Sequence, residues 1–286
     1  MSSPGWAPRV LVCGQVTLDR FGEALVPGGS VYYAGRAHAA LGARVQVATV
    51  AGPDSGALGA LEGLEVALAP APCTTVFANH YAPDGTRTQR VEAVAPALAP
   101  AVLPPDWRAP DLLHLAPVLR EVDLQAWRAA VGARFVGIGV QGWVRAVDAG
   151  GRVHQPPWSV GARELAGVDA ACVGEDDLRG QGDLLERLAA AVPVVAFTHG
   201  ARGCELLLRG RTRRVGVYAT HEVDPTGAGD VFSAGFFLAL ARGADPLDAA
   251  RLGAAAASIV VEGRGGQTLP RVGEAPGRSA QVPVDP

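Results

Sequence analysis

From Asp111 to Gly200 the sequence keeps changing its hydrophobic period. "DLLHLAP" (111–117) is a short apolar run, "VDLQAWRAAVG" (122–132) is amphipathic, and "RFVGIGV" (134–140) is apolar again. "VDAACVG" (168–174), "DLLERLAAAV" (183–192) and "PVVAFTHG" (193–200) repeat the cycle. The apolar runs suit buried strands, and the stretches between them have helical spacing. Strands separated by helices pair in parallel, and the crossovers place helices on both faces of the sheet. This alternation predicts an α/β fold, a three-layer α/β/α sandwich around a mostly parallel central sheet.

The N-terminal third fits the same scheme. "RVLVCG" (9–14) reads as a strand and "ARVQVATVAG" (43–52) as another. Between them "SVYYAGRAHAALG" (30–42) reads as a helix, with Ser30 as N-cap and Gly42 as its stop. "TTVFANHYAPDGTRTQRVEAV" (74–94) breaks the rhythm by alternating around Pro-Asp-Gly, which predicts a hairpin. With residues 20–28 it is expected to form a small β lid on a single domain covering 1–270. "CELLLRGRTRRVGV" (204–217) reads as a second hairpin whose arginines lie on a solvated sheet edge. Two helices, Asp230–Arg242 and Asp245–Val261, close the fold. The Pro- and Gly-rich tail 271–286 is expected to be flexible.

Composition excludes several classes. A net charge of −3 over 286 residues offers no basic excess for nucleic acid. No apolar run could span a bilayer. The N-terminus lacks the charged region and apolar core of a signal peptide, so a cytoplasmic protein is expected. The four cysteines, Cys13, Cys73, Cys172 and Cys204, form no CxxC pair and read as small buried hydrophobes. The six histidines show no HxH or HExxH spacing. All 25 basic residues are arginine. A chain without lysine has no PLP Schiff base, no lysine nucleophile and no Walker A loop. Any phosphate must be held by backbone N–H groups, arginine or metal.

"EVDPTGAGDVFSAGFFLALARG" (222–243) places three small residues and an acid at the mouth of an apolar helix. Helix N-termini expose unpaired N–H groups and partial positive charge, and small residues let an anion approach them. Gly227, Ala228 and Gly229 would supply such a nest. Asp230 beside it suits the task of taking a proton from an attacking hydroxyl while the nest holds phosphoryl charge. The plainer alternative is a glycine-rich loop with a capping acid.

The longer string "DPTGAGD" closely resembles the C-terminal signature of the ribokinase-like, PfkB-type carbohydrate kinases. "VCGQVTLD" resembles that family's first strand, ending in a substrate-binding aspartate, here Asp19. "PGGSVYYAGRAHAALGARVQVATVAGPD" resembles its Gly-Gly signature and the following helix and strand. "FTHGARGCELL" is similar to a segment of its nucleotide site, and "GAAAASIVVEGRGG" to its last helix and the loop over adenine. The resemblance implies Asp230 as general base and Gly227–Gly229 as anion hole. It implies Asp19, Gly28 and Gly29 around the acceptor, since one carboxylate can accept from two hydroxyls of a diol. Tyr33 is a further acceptor contact. Thr198, Gly200, Gly203, Ala257 and Gly229 would lie against ATP. Asp177 and Glu175 are the candidate Mg²⁺ ligands. Asp224, Thr226 and Gly265 match the family's monovalent-cation loop, which allows K⁺ as a further cofactor. A homodimer through the lid is a further expectation.

Departures from the family pattern narrow the acceptor. Its G-G-K-x-x-N element reads Gly28-Gly29-Ser30-Val31-Tyr32-Tyr33 here, without Lys or Asn, which argues against ribose. Its N-x-x-E element reads Gly174-Glu175-Asp176-Asp177, with Asp177 for the Glu and no Asn. The "PGGSVYYAG" turn resembles inositol-kinase-type members. The expected activity is transfer of the ATP γ-phosphate to a small sugar or polyol, myo-inositol or a non-ribose sugar foremost. A nucleoside acceptor is the alternative, and a non-catalytic sensing relative is another.

"GIGVQG" (137–142) fits G-x-G-x-x-G, but no helical pattern follows it, so a Rossmann dehydrogenase is the weaker reading. In the adjacent "QGWVR", Arg145 is a candidate phosphate or substrate contact, or a surface arginine after a strand. His199 is a candidate nucleotide contact or an exposed histidine.

Overall fold

The structure, a computed structural model, describes residues 7–53, 56–81 and 87–285. The chain enters through β1 (Arg9–Cys13), leaves the core for the hairpin β2 (Thr17–Phe21) and β3 (Ala24–Gly28), and returns through α1 (Ser30–Ala40) to β4 (Arg44–Ala51) and β5 (Glu65–Pro70). A second hairpin, β6 (Thr75–Tyr81) and β7 (Arg87–Ala93), precedes β8 (Leu112–Leu115), α2 (Leu124–Ala130) and β9 (Phe135–Gly139). The ribbon β10 (Ala146–Val147) and β11 (Val153–His154) leads to α3 (Ala162–Leu165), β12 (Ala170–Gly174), α4 (Leu184–Ala191) and β13 (Val194–Thr198). Then come β14 (Cys204–Leu208), β15 (Arg211–Val215), α5 (Ala228–Ala241), α6 (Pro246–Val260) and α7 (Ala275–Ser279).

The central sheet has the order β15-β14-β13-β12-β9-β8-β1-β4-β5. It is parallel from β5 to β13, and the antiparallel hairpin β14–β15 forms one edge. Strand β1 is buried on both faces, as its unbroken apolar run demands. Val10 and Val12 join a core with α1, α5 and α6 that contains Phe236 and Phe237. Leu11 and Cys13 join the opposite core, which contains Trp127, Leu165 and Leu184. Every residue of α5 from Val231 to Ala239 is buried, so an almost wholly apolar helix is packed on all sides. The chain continues from β1 to β4 on one side and to β8 on the other. Such a reversal opens a crevice beyond the carboxyl ends of the strands.

Strands β3-β2-β6-β7 form a separate four-stranded sheet over that crevice. The Pro-Asp-Gly turn expected between β6 and β7 lies outside the described residues. At the root of this sheet the Gln15 side-chain amide donates to the carbonyls of Ala95 and Pro96, each at 3.1 Å, and its oxygen accepts from Thr75 Oγ1 at 2.5 Å. Buried Glu121 accepts from the backbone N–H of Gln15 at 3.0 Å, and from those of Val118 at 2.9 Å and Leu119 at 2.7 Å. Burial raises its pKa, and these donors oppose the rise.

Three expectations need correction. Asp19 does not end the first core strand, because β1 stops at Cys13 and Asp19 sits in β2 of the small sheet. Ser30 does not cap α1; Gly29 holds the cap position and no side chain caps the helix. The tail is not frayed. Val272, Ala275 and Val282 are buried, and α7 packs on α6. Of the cysteines, Cys13, Cys172 and Cys204 are buried and Cys73 is partly exposed; all are free thiols. Among the described residues no helix is long and apolar enough to cross a membrane.

Candidate active site

The entry to α5 is fixed by local hydrogen bonds. Asp224 Oδ1 accepts from Thr226 N at 3.0 Å and Thr226 Oγ1 at 2.6 Å, and Oδ2 accepts from Gly265 N at 2.9 Å. One carboxylate thus ties the start of the DPTGAGD turn to the loop after α6. Gly227 then adopts φ +80° at the helix cap. A side chain there would be strained and would collide with the Tyr33 ring. The Ala228 N–H donates to the Pro225 carbonyl at 3.1 Å, so it serves the turn and not an anion. The N–H groups of Gly229 and Asp230, in the first turn of α5, have no carbonyl one helical turn behind them.

These constraints bring the Asp230 side chain to a cavity of about 690 Å³ at the carboxyl ends of the strands. Burial raises its carboxyl from the ordinary 3.8 to about 6. The Ser30 hydroxyl, which donates to this carboxylate, and the Arg145 charge pull it down, and Asp177 pushes it up. Asp19, Gly29, Tyr33 and Arg145 line the same cavity, beside Phe77 and Gln89 of the small sheet. Gly28 does not line it. Its missing side chain makes room for Asp19, whose Oδ2 would meet a methyl group there. Burial, and next the Asp19 carboxylate, raise the pKa of the Tyr33 phenol, so it stays a neutral donor.

A second cavity of about 380 Å³ opens on the far side of the helix mouth. Thr198, Gly200, Gly203, Ala257 and Gly229 all line it, with Tyr218 and Phe232. Thr198, Gly200, Ala228 and Gly229 belong to both cavities, so the two meet at the mouth of α5. His199 stands against Phe197, with ring centroids 4.2 Å apart.

The expected metal residues line one cavity but differ in burial and partners. Asp177 is buried, accepts from Gly174 N at 3.0 Å, and has its pKa raised by burial against the pull of Arg145. Glu175 instead pairs with Arg202, which lowers its pKa. Among the described residues no three carboxylate, histidine or cysteine side chains cluster as a metal cage. Asp177 in the cavity could supply the single carboxylate that Mg²⁺, which keeps several waters, uses alongside substrate phosphates. Asp224, Thr226 and Gly265 are brought together, but by hydrogen bonds to the Asp224 carboxylate.

Sequence reasoning missed Ser30 as a partner of Asp230. It also missed the buried chain behind α5, in which His38 Nε2 lies 3.1 Å from His114 Nδ1 and His114 Nε2 lies 3.4 Å from Ser233 Oγ. Ser233 Oγ donates to the Asp230 carbonyl at 2.8 Å. Burial lowers both histidine pKa values, His114 to about 3. "GIGVQG" is a packing feature: a side chain at Gly137 would meet Phe237, one at Gly142 would meet Pro117, and its second half runs into a 3₁₀ segment (Val140–Val144), not an α-helix.

Comparison with known proteins bears on this geometry. Residues 161–271 match the profile of the pfkB family carbohydrate kinases. A stretch of 128 residues is 37% identical to the bifunctional protein HldE of Caulobacter sp. (strain K31), covering 43% of this chain and 26% of that protein. Another, of 83 residues, is 41% identical to a nucleoside kinase of Methanothermobacter thermautotrophicus, covering 29% of this chain and 26% of the relative. A stretch of 59 residues is 48% identical to inositol 3-kinase of Oryza sativa subsp. japonica, covering 21% of this chain and 15% of that enzyme. The chain therefore matches about a quarter or less of the length of these relatives. The fold similarity is wider. A pyrophosphate-dependent kinase in the ribokinase family, complexed with a pyrophosphate analog and myo-inositol, superposes with TM-score 0.76 at 19% identity, over 93% of this chain and 99% of the other.

Proposed function

We propose that this chain, whose residues 161–271 match the profile of the pfkB family carbohydrate kinases and whose fold is like that of a ribokinase-family kinase, is an ATP-dependent kinase that phosphorylates a hydroxyl of a small polyol or sugar. The observation that carries the reading is Asp230. A desolvated carboxylate with a pKa of about 6 stands where an acceptor cavity and an apolar cavity meet at a helix N-terminus.

Asp19 receives hydroxyls of the acceptor under the small sheet, and Tyr33 closes the floor. Asp230 takes the proton of the attacking hydroxyl. The acceptor oxygen bonds to the γ-phosphorus as the bond to the ADP oxygen breaks. The Gly229 and Asp230 amides and Arg145 hold the charge of the phosphoryl group in flight, so the protein contributes position and field. Mg²⁺, held by Asp177 and the donor phosphates, would neutralise phosphate charge. The base of ATP occupies the apolar cavity beside Phe232 and Ala257. That cavity favours a nucleotide over pyrophosphate, which would leave it empty.

For the acceptor, the missing Lys and Asn after Gly28-Gly29 and the myo-inositol bound by a structural neighbour support a cyclic polyol. The identity to a nucleoside kinase supports a nucleoside as second reading. ADP release measured over a panel of inositols, sugars and nucleosides tests both. Turnover of an inositol or sugar is the expected result; turnover of nucleosides alone replaces the acceptor, and silence across the panel refutes the kinase.

A further inference from the structure

Beyond α6 lies an ion-pair cluster that the proposed chemistry does not use. Glu262 accepts from Thr220 Oγ1 at 2.6 Å, from Arg278 Nη1 at 2.6 Å and Nη2 at 3.3 Å, and from Arg271 Nη1 at 2.7 Å. Arg278, on α7, also donates to Ser258 Oγ at 3.2 Å, and its guanidinium lies over the Tyr218 ring, 4.8 Å from the centroid. Its side chain is 15% exposed and that of Glu262 19%, so solvent screens this pair less than a surface pair. Tyr218, Thr220 and Ser258 are all walls of the 380 Å³ apolar cavity. Arg278 stands behind those walls: it touches two of them directly and reaches the third through Glu262.

We propose that Arg278, anchored by Glu262, is a positioning residue for the donor's base, fixing the Tyr218 and Ser258 walls of the apolar cavity from outside it. The inference rests on the kinase reading, in which that cavity takes the base of ATP. Only a guanidinium suits the place. Its planar fork serves Glu262 and Ser258 at once while its face lies on the tyrosine ring, which an ammonium cannot do.

Calorimetric titration with ADP and with tripolyphosphate, which has the phosphates but no base, tests it. Arg278→Ala should weaken ADP about five- to twentyfold, the scale of a lost cation–π contact and its charged hydrogen bonds, and leave tripolyphosphate unchanged. Arg278→Lys and Glu262→Gln should show smaller losses confined to ADP. KM for ATP should rise in step while kcat and the acceptor KM hold. Unchanged ADP affinity in Arg278→Ala overturns the proposal, and so does an equal loss of both ligands, which would mark general loosening. If the native protein binds tripolyphosphate but not ADP, the base site falls while phosphoryl transfer from another donor survives. If it binds neither, the kinase reading falls.

Discussion

On the proposed donor side of Asp230 the wall is mostly apolar, and Arg278 and Glu262 stand behind it. It comes from residues between Thr198 and Val261, inside the segment that matches the family profile. On the acceptor side the wall mixes carboxylate, amide, phenol and guanidinium, and comes from Asp19, Tyr33, Phe77, Gln89 and Arg145. The donor wall comes from three stretches close together in sequence, whereas the acceptor wall is gathered from five spread from Asp19 to Arg145 and is roofed by a small sheet. In the proposed kinase the nucleotide would lie against the first wall, and the choice of acceptor would rest with the second.

The largest effect expected from this division belongs to neither wall but to the residue between them. Asp230→Asn should lower turnover by about a hundredfold or more and leave ADP affinity intact. Undiminished turnover would remove the base from the scheme. Next, Asp19→Ala should raise the acceptor KM by roughly tenfold to a hundredfold, as loss of a charged hydrogen-bond acceptor does, with the ATP KM unmoved. If the ATP KM rose with it, the two walls would not be separable.

A smaller effect concerns stability. Burial raises Asp230 from 3.8 to about 6, so the folded protein binds this proton more tightly than the unfolded chain. Stability from this group is present at low pH and declines as pH rises through that interval. Asp230→Asn carries no such charge, so it should melt a few degrees above the native protein at pH 8 and no higher at pH 4. Equal melting temperatures at pH 8 would show that the carboxylate is well solvated, contrary to a desolvated site.

What the sequence disclosed follows the same division. The strand–helix alternation and DPTGAGD are local patterns, and the sheet order and the mouth of α5 agree with them. Asp19 was found as a residue but misplaced, because its strand is defined by parallel pairing with β6, Thr17 opposite Thr75. Ser30 looked like a helix cap, since its real partner lies in α5, far along the chain. The His38–His114–Ser233 chain joins three elements through single contacts and has no spacing to betray it. The tail looked frayed because it is rich in Pro and Gly. What orders it is the buried apolar surface of Val272 and Ala275 and the charge cluster on Glu262, which local composition does not reveal.

The central claim is that ionised Asp230 takes the acceptor's proton, and the pH dependence of kcat/KM for the acceptor tests it most directly. The account predicts a limb that rises with pH and levels off above about 6, and a limb moved to higher pH in Ser30→Ala, which loses the hydroxyl that holds the carboxyl down. A flat profile from pH 5 to 8, or the same limb in Asp230→Asn as in the native protein, would contradict it.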